Sequence, residues 1–211
     1  MKRECERLAR AATNCRECFK LEKVKTAFID VAQPRWVGPR YWTRGLFRVV
    51  ILMTNPGQGA AHLVWAKEVR HQIHQFRKGH TSLRSVLNDQ RRAMDWSKFY
   101  IDGLQLDLNE VAFANLAWCA TSENRYPKTM LQRCFGWHTG PLLELLRPHV
   151  VLVAGSKAKA FERDLFELLP KAHVIPILHH AHRKGRAAGQ RELRRVRLAL
   201  QRARLELRQA G

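Results

Sequence analysis

Four short runs of consecutive apolar residues punctuate the chain: "LFRVVILM" before "TNPGQG", then "EVAFANLAWCA", "VVLVAG" and "HVIPIL". Runs of this length, bounded by turn residues, read as strands buried on both faces. Between them the apolar spacing changes to the helical period. Trp65, Val69, Ile73 and Phe76 share one face of a helix predicted from Ala60 to Lys78 and stopped by Gly79, and a second helical stretch runs from about Ser82 to Met94. A helix from about Lys128 carries Cys134, and "GPLLELLRP" is a leucine-rich helix ending at Pro148. Another begins near Ser156, and a last one spans Arg191 to Leu207 with Leu193, Val196, Leu200 and Leu207 on one stripe.

Short strands alternating with helices predict an α/β fold, a parallel sheet covered on both sides by helices in one domain over residues 1–211. "VKTAFIDVAQPRWVGPRYWTRG" reads as an irregular segment laid against that body. In parallel sheets the ligand site lies outside the carboxyl ends of the strands. The loops "TNPGQG", "CATSENRYP" and "HHAHRKG" each follow a predicted strand, so they are expected to converge on one crevice.

Charge narrows the class of partner. Lysine and arginine number 38 against 18 aspartates and glutamates, a net charge of +20. Such self-repulsion points to a polyanionic partner, nucleic acid first and an anionic membrane surface second. Ten basic and two acidic residues lie between Arg183 and Gly211, giving the terminal helix, residues 190–208, an arginine face. No run reaches the roughly 18 apolar residues of a membrane span, and the basic N-terminus lacks the apolar core of a secretion signal. The chain reads as a cytoplasmic protein, a monomer with no obligate protein partner.

Five cysteines do not make a disulfide framework. Cys15 and Cys18 form a C-x-x-C, Cys119 and Cys134 a pair with fourteen residues between, and Cys5 is left over. Four thiolates at these places suit either tetrahedral zinc or a [4Fe-4S] cluster, and would tie the N-terminal segment to the loop and helix after the second strand.

Taken together, "LARAATNCRECFKL", "ILMTNPGQG", "NLAWCATSENRYPKTMLQRC", "LLRPHVVLVAGSKA" and "VIPILHHAHRKG" resemble, in order and over nearly the whole chain, the uracil-DNA glycosylase superfamily. The likeness is nearest to its iron–sulfur family-4 type. The resemblance implies a three-layer α/β/α sandwich with a short central parallel sheet. It implies a monofunctional hydrolase of DNA repair that flips a deaminated base, uracil first, out of single- or double-stranded DNA and hydrolyses its glycosidic bond. It also implies a [4Fe-4S] cluster on Cys15, Cys18, Cys119 and Cys134.

Carried onto this chain, the resemblance makes Asn55 the residue that positions the attacking water, with Gly57 and Gln58 beside the base. An amide orients water by hydrogen bonds and takes no proton at neutral pH. Asn115 matches the residue that reads the edge of the flipped base, since an amide offers a donor and an acceptor together. His179 falls in register with the histidine that donates to the leaving base when Pro176 is aligned with the strand proline. A one-residue shift selects His180 instead. His182, Arg183 and Lys184 are the expected DNA contacts. The second motif reads His-His-Ala-His where His-Pro-Ser is usual, and Met53 stands where a glycine is usual.

Two other readings fit parts of the pattern. A metal-dependent nuclease would use the histidine cluster, but "HHAHRKG" brings no carboxylate with it. A non-catalytic DNA-binding protein with a four-cysteine metal site accounts for the charge and leaves the three loops without a role.

Overall fold

The computed structural model describes residues 3–57, 62–92, 94–181 and 186–209. The chain forms an α/β fold with a four-stranded parallel sheet flanked by helices. The strands are β1 (Val49–Met53), β2 (Val111–Asn115), β3 (Val150–Ala154) and β4 (His173–Ile177), in the order β2-β1-β3-β4. All five residues of each of β1, β2 and β3 are buried, as continuous apolar runs require, whereas edge strand β4 is partly open. Val49 pairs with Val150 and Val150 with His173, so Ala154 lies beside Ile177 where these strands end.

Two compact units make up the chain. The first combines Met1–Trp36, Thr54–Ala93 and Ala114–Leu146, and the second Val37–Met53, Met94–Phe113 and Arg147–Gly211.

In the first unit, α1 (Arg3–Asn14) packs on α3 (Val64–Lys78), and α3 on α4 (Leu83–Arg91). Gly79 ends α3 with φ 85°, a left-handed conformation that costs glycine little, and the Ser82 side chain caps α4 by accepting from the Ser85 N–H at 3.2 Å. Ala66, Val69, Ile73 and Phe76 form the buried face of α3. Trp65, expected on that face, is 39% exposed, because Ala66 takes the place against the core. The short α2 (Glu17–Leu21) packs on α6 (Lys128–Cys134), where Glu22 accepts from Thr129 at 2.7 Å and pairs with Arg133 at 2.8 Å. A π-helical turn, Phe135–Thr139, joins α6 to α7 (Gly140–Leu146).

In the second unit, α5 (Lys98–Leu104), α8 (Ser156–Lys159), α9 (Glu162–Leu168) and α10 (Arg186–Gln209) surround the strands. The sequence pattern did not reveal α5. Its Gly103 admits the Leu193 side chain of α10, and a Cβ there would meet Leu193 Cδ1 at 2.8 Å. Helix α10 starts earlier than its apolar stripe suggests. Leu193, Val196, Leu200 and Ala203 are buried, and Leu207, expected on that stripe, is 40% exposed. No helix among the described residues is long and apolar enough to cross a membrane.

Candidate functional site

Within the first unit, the segments that follow β1 and β2 are latched together. The Ala117 N–H donates to the Thr54 carbonyl at 2.9 Å. This places the "TNPGQG" turn beside the "NLAWCATSENRYP" segment, so two of the three loops expected to converge do meet. Asn55 is half-buried, and its Nδ2 donates to Asn124 Oδ1 at 3.2 Å. Asn124 sits at φ 52°, a conformation asparagine tolerates better than most residues. The Asn55 side chain also hydrogen-bonds Tyr126, whose hydroxyl accepts from the Thr121 N–H at 3.3 Å. Gly57 follows at φ 79°, exposed. Gln58 lies outside the described residues, as do His182, Arg183 and Lys184.

Asn115, the last residue of β2, is 1% exposed. A guanidinium only donates, so the Arg35 Nε that lies 2.6 Å from the amide fixes the facing atom as Oδ1, and Nδ2 then donates to the Ala114 carbonyl at 3.2 Å. Arg35 comes from the irregular segment and has no carboxylate pairing with it among the described residues. Desolvation lowers its pKa to about 10, which leaves it a cation at neutral pH. Sequence reasoning passed over this residue, because nothing in "AQPRWVG" marks an arginine that tertiary packing places beside β2.

A second feature of the same unit is a small cavity bordered by cysteines. Cys15, Cys18, Cys119 and Cys134 line one small cavity together with Trp118 and His138. Cys18, Cys119 and Cys134 are buried and Cys15 is half-buried. The Trp118 N–H donates to Cys134 Sγ at 3.3 Å. Burial raises the Cys18 pKa, pushes Cys119 to about 12 and takes Cys134 well above its ordinary value, and the neighbouring cysteines add to each rise. A bound cation would reverse this by stabilising the thiolates. His138 faces the same cavity with Nε2 buried and unbonded among the described residues, and burial keeps its ring neutral. Cys5 is also buried but does not line the cavity.

A single zinc ion draws four sulfurs to about 2.3 Å from one centre. Among the described residues no three His, Cys, Asp or Glu side chains close into a group that would hold one metal ion. The cavity is joined to the end of β2 by hydrogen bonds: Trp118 Nε1 donates to Thr139 Oγ1 at 3.1 Å, and that hydroxyl donates to the Asn115 carbonyl at 2.7 Å. The π-helical turn aims Thr139 at the indole, a use of the π turn common near functional sites.

In the second unit, Gly155 at the end of β3 has φ 91°, and a Cβ there would meet the Cβ of His179 at 3.4 Å. His179, two residues beyond β4, is half-buried, and its Nδ1 accepts from the Ala181 N–H at 3.2 Å. That bond leaves Nε2 as the protonated nitrogen of the neutral ring, and so the donor. His180 is held differently. Its ring packs against Trp96 at 5.3 Å and Tyr100 at 6.0 Å between centroids, and its backbone N–H donates to the Tyr100 hydroxyl at 3.1 Å. Burial and then the His179 charge lower the His180 pKa to about 4. The two rings thus sit in different surroundings.

No protein-family model matches the chain, and no curated protein matches it.

Proposed function

We propose that the protein is a DNA glycosylase that removes a deaminated base, uracil first, and leaves an abasic site. The observation that carries this reading is the latch between Ala117 and Thr54, which brings Asn55 and Asn115 to neighbouring strand ends. One amide is suited to hold water and the other to hold a base edge. In hydrolysis the C1′–N bond breaks with its electron pair leaving on the base, a water oxygen bonds to C1′, and the water's proton passes to solvent. Asn55 orients that water and Asn115 reads the edge of the base, and His179, in the second unit, is the residue that the resemblance implies as donor to the departing base.

Cys15, Cys18, Cys119 and Cys134 would hold a [4Fe-4S] cluster, which supplies electron-storing chemistry when bound. In this reading the cysteines' own contribution is to join the N-terminal segment to α6 and, through Trp118 and Thr139, to steady Asn115. The cation excess and the arginines of α10 supply attraction for phosphates.

The test is incubation of the protein with single strands and duplexes containing uracil, hypoxanthine or xanthine, followed by alkali to break abasic sites. Cleavage at the modified base is expected, reduced about 100-fold in Asn55→Ala through misplaced water. Absence of cleavage on every base, or cleavage indifferent to Asn55→Ala, overturns the reading. Salt-dependent DNA binding without any cleavage would favour the non-catalytic alternative instead.

A further inference from the structure

We propose that the groove along the outer edge of β4 binds an extended peptide segment of a partner protein, one that places an apolar side chain beside a carboxylate. This goes beyond the glycosylase reading and does not depend on it.

The groove lies wholly within the second unit and has a volume of about 520 Å³. Its lining includes His173, Val174 and Ile175 of β4, Phe166 of α9, and Leu198 and Arg202 of α10. Successive side chains of a strand point to opposite faces, so a groove that meets three residues in a row runs along the strand's edge rather than over one face. Phe166 and Leu198 are each about half exposed there, an amount of open apolar surface that a passing side chain can cover.

The main chain of β4 supplies a second, independent observation. The His173 N–H donates to the His149 carbonyl at 2.9 Å, and the Ile177 carbonyl accepts from the Gly155 N–H at 3.1 Å. Residues 173, 175 and 177 therefore bond toward β3, and Val174, Pro176 and Leu178 turn their backbone groups to the side where the sheet has no further strand. Helix α10 closes part of that side. The Arg195 guanidinium donates to the Pro176 carbonyl, Glu192 accepts from the Leu178 backbone, and Arg195 and Glu192 pair at 2.8 Å. Pro176 has no N–H to offer. Val174 is left with its N–H and C=O toward the groove, the main-chain pair by which an edge strand takes up an extended segment.

Charge decides the kind of segment. The chain as a whole is a polycation, yet this groove is not a phosphate track. Arg195 is neutralised by Glu192, and Glu206 stands at the other end, 3.3 Å from the His173 imidazole. Arg202 lines the groove and pairs with no carboxylate among the described residues. A nucleic-acid strand carries a charge on every phosphate and would meet Glu206 as well as Arg202. A peptide brings one carboxylate to Arg202 and one apolar side chain to Phe166 and Leu198. A second copy of the chain would set two bodies of +20 charge against each other.

The experiment titrates the isotope-labelled full chain with pools of end-blocked hexapeptides, one position fixed at a time, and follows the Val174 amide by nuclear magnetic resonance. Pools with Asp or Glu next to Leu, Val or Phe are expected to shift that amide to saturation and slow its hydrogen exchange. Changing the carboxylate of the best member to an amide should weaken it about tenfold, Arg202→Gln should cost as much, and the two changes together should cost little more. Phe166→Ser and Leu198→Ser, at open positions and shown folded by circular dichroism, should each weaken binding about tenfold as well.

Failure of every pool to saturate the Val174 shift overturns the inference, as do losses that simply add when both charges are removed. An oligothymidylate strand that shifts Val174 as strongly as the best peptide would give the groove to nucleic acid and overturn it too. So would a concentration-dependent Val174 shift in the chain alone with dimers in sedimentation, which would give the groove to a second copy.

Discussion

The rings of His179 and His180 lie 4.1 Å apart between centroids, and Trp96 and Tyr100 pack against the His180 ring. Tyr100 anchors it from eighty positions away, whereas His179 follows β4 and lies over Gly155. His179→Ala should therefore slow excision about 100-fold, the effect of losing one donor to a developing anion, with the urea midpoint unchanged. His180→Ala should lower stability by about 1–2 kcal/mol through lost packing. Single-turnover kinetics and urea melts of both variants check the division, and the opposite pattern would reverse the assignment.

Protonation of His180 sets an acid limit. Its pKa falls from 6.5 to about 4 on folding, so the unfolded chain binds the proton first as pH drops. The stability that depends on the neutral ring is fully present above about pH 6.5 and is lost progressively toward pH 4. Urea unfolding at steps between pH 7.5 and pH 4.5 should show this decline, and His180→Phe should flatten it.

The cysteine cavity predicts a colour. Protein purified without oxygen should absorb broadly near about 400 nm and bleach with dithionite, as iron–sulfur proteins do. Cys119→Ser and Cys134→Ser should abolish the band and lower the thermal midpoint. Cys5→Ser should keep it, since Cys5 lies outside the cavity. A colourless protein that retains stoichiometric zinc would refute the cluster assignment.

The arginine face of α10 is best tested by charge removal. Truncation after Gly189 would strip Leu193, Val196 and Leu200 from the core of the second unit. Exchanging the exposed Arg191, Arg194 and Arg202 for glutamine leaves that packing intact. If these residues touch phosphates, each lost contact should reduce the slope of log K against log salt by about 0.9. An unchanged slope assigns them to solubility.

Continuous apolar runs made the strands readable, since a strand buried on both faces has nothing to alternate with. Gly79 and Ser82 marked a helix end and start because their backbone and capping roles are local. Helix α5 escaped notice because "KFYIDGL" is short and owes its place to Gly103 meeting Leu193, a contact ninety positions apart. Trp65 and Leu207 fit the helical period but fall at the margins of their buried faces, where period alone does not decide exposure. At the site, Asn55, Asn115 and the cysteines came from spacing and resemblance. The unequal histidines and the Arg35 cation did not, because Trp96, Tyr100 and the placement of the irregular segment are tertiary facts.

The elevated thiol pKa values behind the Glu22–Arg133 pair also constrain how the molecule is assembled. With these pKa values raised by burial, Cys18, Cys119 and Cys134 are protonated, shielded thiols, poor nucleophiles and slow to react with alkylating reagents. If the proposed cluster is held there, its insertion is favoured while α2 has yet to dock on α6, and loading would be an early step in maturation.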